Sequence, residues 1–187
     1  NKVRKKYGIK PNETVILFAR HLRPIYGTGY LIKAAAKVIQ KHPETIFLIV
    51  GDGPLRHDLE KLARQMGVDR NVSFLGYIPR TEMPFYHAAS DIFVDPCIFG
   101  EGYAGIEALL SGKPVIAFKA GQIRIMDEVD GYLVQPGDVE DLANKMIWLL
   151  ENPKLRKEMG IKGRKRAVKQ HGIENRVRNL IRVYNHV

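Results

Sequence analysis

Six short, unbroken runs of apolar residues set the tightest limit on how this chain can fold. They are "ETVILFAR" (13–20), "TIFLIVGDGP" (45–54), "NVSFLGYI" (71–78), "DIFVDP" (91–96), "KPVIAF" (113–118) and "GYLVQPGD" (131–138). A strand with one wet face alternates apolar and polar residues. These runs do not alternate, so both of their faces must be covered. Between them lie stretches with apolar residues at helical spacing: 27–43, 55–67, the short 80–90 with Thr81 as candidate cap, and 139–153 with Asp138 as cap. Two basic helices are expected to finish the chain. Strands alternating with helices specify an α/β fold. We expect a Rossmann-like doubly wound parallel sheet of about six strands, in one domain spanning 1–187, with strand order 3-2-1-4-5-6.

Ligands of such sheets bind beyond the carboxyl ends of the strands. The loops at that edge are "RHLRPIYGTG", "GDGP", "GYIPRTEMP", "PCIFGEGYAG" and "AGQIRIMDEVDG". They hold most of the glycines, together with Arg20, His21, Arg23, Glu101, Glu107 and Arg124. Neither "GDGPLR" nor "GTGYLI" completes a dinucleotide fingerprint, and Gly51 and Pro54 suit a tight strand-to-helix turn. Spacing supports no Walker loop, metal-ligand cluster or Ser-His-Asp signature.

"EGYAGIEALLSGKP" (101–114) is more informative. Gly102, Ala104 and Gly105 let a ligand approach the backbone. The helix that starts there aims free N–H groups and a positive dipole end at the same place, which suits a phosphate. An acid near that spot cannot favour a phosphate. For Glu107 two readings stand from the local sequence: an acid complementing the helix dipole, or a carboxylate accepting hydrogen bonds from two sugar hydroxyls.

This pattern resembles the C-terminal, donor-binding domain of retaining GT-B glycosyltransferases of family 4. "IEALLSGKPVIAF", "TIFLIVGDGPLRHDLEKLA", "VSFLGYIPRTEMPFYHAASDIFVDP" and "GYLVQPGDVEDLANKMIWLLENP" carry the likeness, which runs from about Val15 to Pro153. The resemblance implies one half of a GT-B fold and transfer of a hexosyl unit from a UDP or GDP sugar to a glycan, a lipid or a polysaccharide precursor. It implies that Glu107 holds the donor ribose and that Glu101 lies near the donor sugar. Gly102, Tyr103, Ala104 and Gly105 would serve the diphosphate. Tyr77 and Ile78 would give backbone contacts to the base. The first loop, with Arg20, His21, Arg23 and Gly27, would grip the diphosphate, Arg20 and Glu101 being the candidate catalytic residues. The acceptor site would belong to an N-terminal domain absent from this chain, which also begins without Met, as a piece of a longer protein would. The sequence departs from the family in places. Five residues separate Glu101 from Glu107 where the family has seven, Tyr26 stands at the usual lysine and His21 at the usual arginine, with Arg20 and Arg23 to replace the charge. The family does not require a metal, so the resemblance implies no metal and no cofactor.

The formal net charge is +10, much of it in "KLRKEMGIKGRKRAVKQHG" (154–172). A solvated helix face and a peripheral contact with anionic lipid both account for that run. A nucleic-acid-binding module would interleave aromatic residues with the basic ones, and none lies between Lys154 and Gly172, so no nucleic acid is expected. A glycosyltransferase-like scaffold without activity is the other alternative. One cysteine, Cys97, rules out an intrachain disulfide. The expected location is the cytoplasm, with the cytoplasmic membrane face as the site of any contact.

Overall fold

The computed structural model describes residues 2–99, 103–120 and 125–172. After a short helix α1 (Lys2–Lys6), strands and helices alternate: β1 (Thr14–Ala19), α2 (Thr28–Lys41), β2 (Thr45–Val50), α3 (Arg56–Gln65), β3 (Val72–Gly76), α4 (Met83–Ala89), β4 (Ile92–Asp95), α5 (Tyr103–Leu110), β5 (Val115–Phe118), β6 (Gly131–Val134), α6 (Val139–Glu151) and α7 (Pro153–His171). The sheet is Rossmann-like, with order β3-β2-β1-β4-β5-β6, and every neighbouring pair is parallel. The expected strand order is the one observed.

Why the runs are apolar throughout is visible along β1. Val15 and Leu17 enter one buried layer with Val50, Phe93, Ala108 and Leu109. Ile16 and Phe18 enter the opposite layer with Leu31, Phe47, Ile116 and Met146. Successive side chains point to opposite faces, so helices on both faces demand apolar residues at every position.

Strands end sooner than the apolar runs. β2 stops at Val50 because Gly51 has φ 125°, and a Cβ there would lie 2.0 Å from the Arg20 carbonyl oxygen. β6 stops at Val134, before Gln135 and Pro136. Asp138 caps α6 as expected, its carboxylate accepting from the Asp141 N–H at 2.9 Å. Thr81 caps nothing. Helix α4 starts two residues later, with Glu82 at the N-cap and no side-chain cap, because Pro84 fits the first turn without one. The basic run forms one helix, α7. Residues 173–187, where a second helix was expected, lie outside the described residues.

Arg4 ties α1 to the sheet. It donates to the Ala89 and Glu13 carbonyl oxygens and pairs with Asp91 at 2.7 Å. Asp91 in turn accepts the Val15 N–H. Helix α7 is tied by Arg166, which pairs with the fully buried Asp130 just before β6.

Candidate functional site

The carboxyl ends of β1 and β3 and the first turns of α5 enclose a cleft of about 500 Å³. That volume is in the range of small-molecule sites. β1 contributes Ala19 and Arg20, the turn after β3 contributes Tyr77, Ile78 and Arg80, α4 contributes Met83, and α5 contributes Tyr103, Ala104 and Glu107. The fold dictates this arrangement. Parallel strands all deliver their following loops to one edge, and β1 lies at the centre of the sheet, where the strand order reverses.

Arg20 is held rather than loose. Its Nη2 lies 2.7 Å from Asp95 Oδ2 and its Nε donates to Oδ1 at 3.2 Å, a two-pronged pair at the end of β4. Burial opposes the guanidinium charge, but the Asp95 carboxylate more than offsets it, so the Arg20 pKa stands above its ordinary value. Tyr26 covers the guanidinium, its ring centre 5.5 Å away.

Glu107 lies on the second turn of α5 and is half-buried. It accepts from Arg80 Nη2 at 3.0 Å. Arg80 is 88% exposed, so this pair contributes little stability. Tyr77 is 75% exposed and presents a bare aromatic face at the cleft.

Of the residues singled out in the sequence, Arg20, Tyr77, Ile78, Tyr103, Ala104 and Glu107 line this one cleft. Gly105 is buried behind them, and a Cβ there would lie 3.5 Å from Ile125 Cδ1. The His21 ring sits 3.0 Å from the Asp52 carbonyl oxygen. Arg23 and Gly27 line a different cavity. Glu101, Gly102 and Arg124 lie outside the described residues. Arg80 and Asp95 were not singled out. Asp95 had a signal, an acid closing an otherwise apolar run. Among the described residues no group of three or more His, Cys, Asp or Glu side chains could hold a metal ion, and no described helix is long and apolar enough to cross a membrane.

Behind the Arg80–Glu107 pair, a cavity of about 240 Å³ reaches Met83, His87 and Leu110. His87 is 2% exposed and neither ring nitrogen has a hydrogen-bond partner. Burial, helped by the nearby Lys113 charge, pushes its pKa down to about 4. The unfolded chain therefore takes up a proton at His87 near pH 6.5 that the folded chain refuses until about 4, and stability falls as pH falls through that window. At pH 5 the loss from this residue is about 2 kcal/mol. His87→Leu is expected to remove that part of the decline, measured as the difference in urea unfolding free energy between pH 7.5 and pH 5. An equal decline in variant and parent would rule it out.

Residues 1–166 match the family model for glycosyl transferases group 1. The chain belongs to this glycosyltransferase family. It is 32% identical over 173 residues to the GDP-mannose-dependent alpha-(1-6)-phosphatidylinositol monomannoside mannosyltransferase of Mycolicibacterium smegmatis, a match covering 87% of this chain and 45% of that protein. It is 36% identical over 170 residues to the GDP-mannose-dependent monoacylated alpha-(1-6)-phosphatidylinositol monomannoside mannosyltransferase of Corynebacterium glutamicum, covering 86% and 44% respectively. The glycosyltransferase chain thus spans less than half the length of these two relatives. Among solved structures it is similar to HepE of Anabaena in complex with UDP, with a TM-score of 0.90 and 26% identity over 100% of this chain and 52% of that one.

Proposed function

We propose that this chain is the donor-binding half of a retaining GT-B glycosyltransferase of family 4, which transfers a hexosyl unit from a nucleoside-diphosphate sugar to a glycan or lipid-linked acceptor. The observation that carries the reading is the meeting of Arg20, Tyr77, Ile78, Tyr103, Ala104 and Glu107 in one cleft at the amino end of α5. Both sequence relatives are named for GDP-mannose, and HepE was solved with UDP, so GDP-mannose and UDP-glucose are the first donors to test.

In this proposal Glu107 accepts hydrogen bonds from the ribose hydroxyls, and Arg80 turns away to admit them. Tyr77 and Ile78 border the base. The N–H groups of the first turn of α5, from Tyr103 to Gly105, face the diphosphate, and Gly102 extends that surface. As the bond to the sugar breaks, negative charge grows on the leaving diphosphate. The helix end and Arg20, already fixed by Asp95, stabilise it without reorganisation. Fixed positive groups do this without a metal. His21 and Gly27 shape the turn that presents Arg20, and Glu101 serves the donor sugar. In this reading the acceptor site belongs to an N-terminal domain outside this chain. Isothermal titration of the intact enzyme with GDP, UDP and their sugars tests the proposal. Absence of any nucleotide binding would defeat it.

The proposed setting is the cytoplasm, at the cytoplasmic face of a membrane. Helix α7 supports that setting, since Lys154, Lys157, Lys162, Arg164, Lys165 and Lys169 are exposed on it beside Ile161 and Val168. Each basic residue near an anionic bilayer contributes about 1 kcal/mol. Reversing Lys157 and Lys165 to Glu is therefore expected to weaken sedimentation with phosphatidylglycerol vesicles at least about 10-fold. Unchanged co-sedimentation would remove the membrane from the proposal.

A further inference from the structure

Arg80 stands on the partition between two spaces. With Met83 and Glu107 it lines both the donor cleft of about 500 Å³ and the cavity of about 240 Å³ behind it, and no other described residue lines both. The smaller space is walled by Pro84 and His87 of α4 and by Leu110 at the end of α5. The partition is light. A hydrogen bond from Arg80 Nη2 to Glu107 Oε1 at 3.0 Å closes it, and Arg80 is 88% exposed. A pair so open to water holds weakly.

Ribose hydroxyls on Glu107 take the place that Arg80 fills in the empty site. The displaced guanidinium keeps its N–H donors in a rigid fork and needs other acceptors. Arg20 is committed to Asp95 and Glu107 to the ribose, so Arg80 is the charged side chain of the cleft left to read the base. Tyr77, three residues earlier in the same turn and 75% exposed, offers a stacking face that any base can use. Selection by side chains therefore falls to Arg80.

An arginine fork fits two adjacent acceptors in one plane. Guanine presents O6 and N7 side by side, whereas adenine sets an amino group beside N7. Uracil separates its two carbonyls by an N–H. Cytosine has an adjacent pair, N3 and O2, but is a single ring. Turning Arg80 aside joins the cleft to the cavity behind it, and that added room suits a bicyclic base.

We infer, building on the donor-site reading above, that the donor is a guanosine-diphosphate sugar and that Arg80 selects its base. In the empty site Arg80 neutralises Glu107. In the loaded site Glu107 holds the ribose, and Arg80 donates to guanine O6 and N7 while Tyr77 stacks on the ring.

Isothermal titration of the intact enzyme with GDP, UDP, CDP and 7-deaza-GDP tests this, on the parent and on Arg80→Met. GDP is expected to bind about 10-fold more tightly than UDP or CDP, the discrimination that one two-pronged arginine–guanine pair supplies. 7-Deaza-GDP, which lacks the N7 acceptor, should bind more weakly than GDP. Arg80→Met should cost GDP about 10-fold and leave UDP no weaker, because Glu107 loses a competitor for the ribose. In that variant GDP and 7-deaza-GDP should bind alike. The melting temperature should not move, since Arg80 is largely exposed. Binding of UDP or CDP as tight as that of GDP would overturn the inference. So would an unchanged ratio of GDP to UDP affinity in Arg80→Met. Either result would leave the donor site standing, since that site requires only that a nucleotide binds and that Glu107→Gln weakens it. Absence of binding by every nucleotide would end both.

Discussion

Arg166→Met is expected to destabilise the chain by about 3–5 kcal/mol, the usual cost of leaving a buried charge without its partner. Asp130 is fully buried, and Arg166 pairs with it, reaching it from α7 with a side chain only 17% exposed. The carboxylate also accepts the Met126 N–H at 2.8 Å. For a chain of this length each kcal/mol moves the melting temperature by roughly 2–4 °C, so a fall of roughly 6–20 °C follows. Adding Asp130→Asn should recover much of the loss, since Asn still accepts from Met126 but carries no charge. Calorimetry on both variants checks this. A fall of less than about 3 °C in the single variant would show that the pair does not hold α7 to the sheet.

Much of the fold was legible because both faces of the sheet are covered. That single condition makes the interior positions of β1, β2, β4 and β5 apolar on both faces, with Thr14, Thr45 and Asp95 confined to strand ends, and a run such as "VILFA" is hard to misread. Strand ends were less legible, because they depend on the backbone. Gly51 breaks β2 through its φ of 125° and its approach to Arg20, neither of which periodicity records. Thr81 had the right chemistry for a cap and the wrong position, since helix α4 begins beyond it with Pro84 in the first turn.

The site divides in the same way. Residues fixed to strand ends and helix starts, such as Arg20, Tyr77, Ala104 and Glu107, could be placed together once the topology was known. Within the loop 20–27 the sequence gives no direction to each side chain. Arg20 turns to Asp95 and His21 to the Asp52 carbonyl, while Arg23 falls to the cavity at α2. Partners distant in sequence, as Arg80 is from Glu107, become visible only when β3 and α5 are brought side by side.

The most direct test of the donor-site proposal is nucleotide affinity in the intact enzyme with Glu107→Gln. The substitution keeps the shape and removes the charge. Hydrogen bonds to a charged acceptor contribute about 1.5–3 kcal/mol, more than bonds to a neutral one, and 1.4 kcal/mol is a factor of ten. Affinity for GDP or UDP, measured by isothermal titration, is therefore expected to fall about 10-fold or more. The melting temperature should barely move. The Arg80 partner is largely exposed, and Glu107 otherwise contributes only a helix-dipole effect of under about 1 kcal/mol. Unchanged nucleotide affinity together with a large loss of stability would contradict the account, because it would make Glu107 a structural acid and leave the cleft without its ribose anchor.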